Sequence, residues 1–112
     1  MSGRSPLTRA VLFIEELRKL DPEFPAQTAL AFLIIAGEEG ISQAETATRM
    51  GLSKSAIQRI FDRLSEKGSL SGRPGLGLIE VRLGAADARQ RCAYLTAKGR
   101  RVLASLTHYM EA

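Results

Sequence analysis

The stretch SQAETATRMGLSKSAIQRIFDRLSEKG, residues 42–68, decides how the rest of the chain is read. Ser42-Gln43-Ala44-Glu45 has the form of a capping box, in which a serine hydroxyl and a glutamate carboxylate each satisfy an amide left open by the first helical turn. It opens a short helix ending at Met50. Gly51 suits the left-handed backbone that closes a helix. Ser53 caps a second helix, expected to run to Lys67 and stop at Gly68. Ala47 is small where the two helices cross, and Met50, Leu52, Ile57 and Ile60 are apolar where their angle is locked. Two short helices fixed at a steep angle form a helix-turn-helix, whose second member projects into a DNA major groove while the first lies across its edge.

The 3.6-residue period then sorts the faces of the second helix. Ala56, Ile57, Ile60, Phe61 and Leu64 fall on the core side, and Ser55, Gln58, Arg59, Asp62 and Glu66 lie opposite, with Lys54 flanking. Gln58 offers the donor and acceptor that match adenine, and Arg59 the paired donors that match guanine. Ser53 and Ser55, with the open amides of the helix start, suit phosphate oxygens. An ordinary solvated helix would also carry serine, lysine and arginine; the turn ahead of it favours DNA reading. Asp62 and Glu66 would repel phosphate, so they are expected to pair with Arg59, Arg63 or Lys67 along the helix. That makes Arg63 and Lys67 as structural as DNA-directed.

Working outward, Leu7, Ala10, Val11, Ile14, Leu17 and Leu20 make one apolar stripe over a helix from Pro6 to Leu20. Asp21-Pro22-Glu23-Phe24-Pro25 breaks it. A second helix, apolar on most sides and so the buried centre, runs to about Glu38. Beyond Gly68, Ser71 to Gly77 reads as a glycine-rich loop. Leu78–Leu83 and Gln90–Leu95 read as antiparallel strands around a turn at 84–89. Thr96 caps a last helix to about Tyr109. A two-stranded hairpin is not stable alone in water, so it must pack on the helices as a wing. The fold class is mainly α (α+β): a winged helix-turn-helix of helices with a two-stranded β wing, in one domain spanning 1–112.

Charge agrees with this division. The formal charge is only +4, but residues 1–52 hold five cations against seven anions and residues 53–101 eleven against four. A basic half beside an acidic half suits a polyanionic partner. The chain lacks a phosphate-binding glycine loop, a histidine–carboxylate pair and a nucleophile elbow, which speaks against an enzyme. One cysteine, Cys92, excludes an intramolecular disulfide, and His108 stands alone, so no metal or other cofactor is expected. The apolar run Ala29–Ala36 is too short to span a bilayer, for which about 20 residues are needed, and no cleavable leader is evident. The chain reads as cytoplasmic, with no membrane partner.

Three ordered motifs carry a resemblance: Ile57-Gln58-Arg59-Ile60-Phe61-Asp62-Arg63-Leu64-Ser65-Glu66-Lys67-Gly68, then Asp87-Ala88-Arg89-Gln90-Arg91, then Leu95-Thr96-Ala97-Lys98-Gly99. Together, over residues 28–105, they resemble the MarR (multiple-antibiotic-resistance regulator) family in a short variant. The resemblance implies a homodimeric, sequence-specific regulator of transcription, a repressor, with helix 53–67 in the major groove of double-stranded DNA. It also implies a wing, 84–91, whose Arg89 enters the minor groove while Asp87 orients it, with Arg91 beside it on the DNA side. An arginine suits a narrow, electronegative minor groove. The DNA-binding set is thus Ser53, Lys54, Ser55, Gln58, Arg59, Arg89 and Arg91. Helices 7–20 and 97–111 are read as the dimerisation elements. The helical layer is shorter than the family's, so no small-molecule inducer is expected. The competing reading is a winged helix used for protein interaction or assembly in a replication or mobile-element complex.

Overall fold

The computed structural model describes residues 4–68 and 72–111. Along them run α1 (Pro6–Arg18), α2 (Ala26–Gly37), α3 (Gln43–Met50), α4 (Lys54–Leu64), β1 (Ile79–Leu83), β2 (Arg91–Leu95) and α5 (Ala97–Met110). This is the order that the sequence predicts. Ser71, assigned to the loop before the wing, lies outside the described residues, as do positions 1–3 and 112.

Four of the five helices start where a side chain takes an open amide, and α2 starts after Pro25 with no side-chain cap. Ser5, Ser42, Ser53 and Thr96 accept from the backbone N–H of Thr8, Glu45, Ala56 and Gly99. The reciprocal half of the expected capping box is replaced. The Glu45 carboxylate pairs with Arg49, one turn on at 3.1 Å, and Arg49 reaches Glu38 as well. α1 ends two residues before Leu20, because the amides of Leu20 and Asp21 both turn back to the Leu17 carbonyl. Gly51 closes α3 at φ 66°, in the left-handed region where a side chain is strained. α2 supplies the centre of the core: Ala31, Phe32 and Ile35 are inaccessible, packed with Ile57, Phe61 and Leu64 of α4, Leu78, Ile79 and Leu106.

α4 is shorter than expected, ending at Leu64 rather than Lys67. The cause is long-range. The amides of Leu76, Gly77 and Leu78 donate to the carbonyls of Arg63, Ser65 and Leu64, taking up acceptors that a helix end leaves open. The glycine-rich segment is therefore a strap bonded across the end of α4. It is held from the other side by Thr96 Oγ1, which donates to the Gly77 carbonyl, and by Lys98 Nζ, which donates to that of Leu76. Gly75 is required by proximity: a Cβ there would sit 1.8 Å from the Ser65 carbonyl oxygen.

The hairpin pairs Ile79 with Leu95 through Leu83 with Arg91, antiparallel. Its β2 edge is also bonded to the segment before α3. Gly40 N–H donates to the Ala93 carbonyl at 2.8 Å and Ala93 N–H to that of Ile41 at 3.0 Å. Glu39 adds a side-chain bond to the Leu95 amide at 2.8 Å and an ion pair to Arg100. The wing root is thus joined to the start of the helix-turn-helix. α1 and α5 pack together at the far end, with the Arg4 guanidinium over the Tyr109 ring. No helix among the described residues is long and apolar enough to cross a membrane.

Candidate nucleic-acid interface

The front of α4 presents its polar residues as the periodicity requires. Ser53, Lys54, Ser55 and Arg59 are exposed, while Ile57 and Ile60 are buried. The Ser53 hydroxyl is occupied by the Ala56 amide and lies 3.3 Å from that of Ser55. At 15% exposure the Asp62 side chain is nearly covered, 3.8 Å from Lys67.

A cleft of 260 Å³ separates α4 from the wing. Gln43, Lys54, Gln58, Arg89 and Arg91 line it, so four of the seven sequence-predicted residues converge on one concavity. Ser53 and Ser55 flank Lys54 at its helical edge. Arg59 points elsewhere. It lines a second cleft of 390 Å³ on the opposite flank of α4, with Gln27, Thr28, Arg63 and Arg73. The Gln58 amide is engaged at both ends, accepting from Gln43 Nε2 and donating to Asp62 Oδ1, each at 2.9 Å. Two atoms of the first cleft, Gln43 Oε1 and Arg91 Nε, are buried with no hydrogen-bond partner among the described residues.

At the wing tip Arg89 extends into solvent, its side chain 92% exposed. Asp87 holds it: Oδ1 accepts from Arg89 Nε at 3.2 Å and from the Arg89 backbone N–H at 3.0 Å. The Arg89 guanidinium and then its amide hold the Asp87 carboxyl below the usual aspartate range. Arg89 Nη2 also donates to Asp87 Oδ2 at 3.4 Å, which leaves Nη1 as the guanidinium nitrogen not bonded to Asp87 and able to meet a second, anionic partner.

Arg63 differs from expectation. Its partner is not on α4 but Asp21, 42 residues away in sequence, at 3.0 Å. Arg73, 52 residues away, reaches the same oxygen at 2.8 Å, and Asp21 also accepts from the Glu23 amide. The Glu23 N–H and the Arg63 guanidinium, in that order, lower the Asp21 carboxyl's affinity for protons, against burial, which raises it. Asp21 read as part of a helix breaker, and only the tertiary fold reveals its clamp. Gln43 was legible in principle, since an N-terminal residue of the first helix faces the second in this motif.

The Winged helix-turn-helix DNA-binding family model matches residues 33–68. Among solved structures, MarR superposes with a TM-score of 0.66 at 24% identity, covering 95% of this chain and 76% of its own. The S. aureus MepR–DNA complex superposes at 0.70 with 16% identity, covering 93% and 68%. Residues of the chain are also 42% identical over 50 positions to the segregation and condensation protein B of Streptococcus equi subsp. equi (strain 4047). That match takes in 45% of this chain and spans 28% of the relative's length. The fold is a winged helix-turn-helix, the fold of MarR and MepR.

Proposed function

We propose that this chain is a sequence-specific, double-stranded DNA-binding regulator of transcription, working as a homodimeric repressor. The observation that carries this reading is the convergence of Lys54, Gln58, Arg89 and Arg91 on one cleft between α4 and the wing. A duplex backbone passing between a major-groove helix and a minor-groove wing would run along that cleft. Ser53 and Ser55 meet phosphate at its edge, and Arg59, expected from the sequence to match guanine, lies on the other flank of α4 and meets the backbone there instead. Likeness to the DNA-bound MepR structure supports the same placement.

Dimerisation is supported by an uncovered apolar face. Leu7, Val11 and Ile14, at helical spacing on α1, are exposed beside Met110 of α5. A second copy would cover this face and set two α4 helices about one DNA turn apart. Repression then follows from occupancy of the promoter. The segment shared with the segregation and condensation protein B favours a second reading, a winged helix serving a protein assembly.

The test is binding to random duplex at increasing salt. Counterion release makes the logarithm of affinity fall linearly with the logarithm of salt, by about 0.9 for each phosphate neutralised. A steep slope is expected. No binding even at low salt would replace this reading with the assembly module.

A further inference from the structure

The bonds around Gln58 give its amide one orientation. A carboxylate accepts hydrogen bonds and donates none, so Asp62 takes the amino end of Gln58, at 2.9 Å. That turns the Gln58 carbonyl toward α3, where Gln43 must offer its own amino end, also at 2.9 Å. The sense is kept although it leaves Gln43 Oε1 buried without a partner. Reversal would set the Gln58 carbonyl oxygen against a nearly covered carboxylate, and that arrangement is worse. Lys67 Nζ lies 3.8 Å from the same Asp62 oxygen.

Each end of the Gln58 amide keeps unused capacity. An amide oxygen has two lone pairs and an amide nitrogen two hydrogens, and the relay uses one of each. One acceptor beside one donor remains, in fixed order, on a side chain that lines the α4–wing cleft. Adenine presents the complementary pair, N6–H and N7, in the major groove, whereas thymine presents only an acceptor and a methyl group. A glutamine free to turn end for end would offer its amino group to thymine O4 or guanine O6 as readily.

We propose that Asp62 and Gln43 are positioning residues for base reading: they lock Gln58 in the sense that selects adenine over thymine at one base pair of each half-site. This rests on the reading of the chain as a duplex-DNA reader. Asp62 then has a part in recognition despite a charge that would repel phosphate.

The experiment is selection of bound sites from a random duplex pool by the full chain and by Asp62→Asn, Gln43→Met and Gln58→Met, at one salt concentration. The unaltered chain should prefer adenine over thymine on the order of ten-fold at one position. In Asp62→Asn the side chain keeps its shape but offers either an oxygen or an amino group, so the preference should fall toward parity while affinity for random duplex is equal or higher. Gln43→Met, which removes the other anchor without touching charge, should move the same position in the same direction, and Gln58→Met should erase it. Thermal midpoints separate this from unfolding. An unchanged adenine-to-thymine ratio in both Asp62→Asn and Gln43→Met, with binding intact, overturns the lock alone. A site with no adenine-selective position does the same. Absence of duplex binding by the unaltered chain overturns the DNA-reading function, and the lock with it.

Discussion

Asp21 shows how much one buried carboxylate can organise. It lies at the junction of α1 and α2 and grips Arg63 at the end of α4 and Arg73 before the strap. Its proton affinity is lowered in the fold, so its contribution to stability is complete above the unfolded value of about 3.9 and is lost as pH falls through the lower folded value. The melting midpoint of the unaltered protein should therefore drop as pH falls below about 4. Asp21→Asn should melt lower at neutral pH, with the gap narrowing in acid; parallel profiles would show that the clamp contributes no acid-linked stability. Arg89 makes a second residue-scale case. Arg89→Ala should weaken duplex binding most at sites flanked by A·T pairs, where the minor groove is narrow. Equal losses at A·T and G·C flanks, measured by titration, would count against minor-groove insertion.

Among the elements, the strap yields a prediction opposite to the rule for helices. Gly99 sits in the first turn of α5, where alanine ordinarily stabilises by about 1 kcal/mol. Here a Cβ would lie 2.1 Å from the Leu78 carbonyl oxygen. Gly99→Ala should lower the denaturation midpoint, whereas Ser53→Ala, a simple loss of a cap, should cost only about 1 kcal/mol. The contrast between the two in urea titration checks whether the strap packs as described. It also marks where sequence reading stops. The caps Ser42, Ser53 and Thr96, Gly51 and the apolar stripes of α1, α4 and α5 were legible because they are local. So were the exposed face of α4 and the Asp87–Arg89 pair. The early end of α4, the bonds of Gly40 and Ile41 to Ala93, and the Asp21 clamp were not, because their partners lie tens of residues away. Ser71 to Gly77 read only as a glycine-rich loop, whereas at Gly75 the missing side chain permits close backbone contact. Gln58 was expected to face DNA, and its bonds to Gln43 and Asp62 were missed, since Asp62 looked only like a charge to be neutralised.

The whole molecule measures 52 × 31 × 27 Å, and the apolar face of α1 and α5 is built from residues other than those that line the basic cleft. Leu7 is 81% exposed and Met110 62%. Burying such a face against its own copy gains about 25 cal/mol for each Å² of apolar area removed from water. Val11→Glu should therefore shift sedimentation from dimer to monomer and abolish preference for paired half-sites, while contacts to a single half-site persist. A protein that sediments as a monomer before substitution would remove the dimer from the proposal.

The bonds that fasten Gly40 and Ile41 to Ala93 have a mechanical consequence. The hairpin and the start of the helix-turn-helix are riveted at a common joint, so a duplex would meet them as one caliper of preset gap. Spin labels at Ala85 and Ser55 should report the same separation before and after DNA is added, with adaptation left to the nucleic acid.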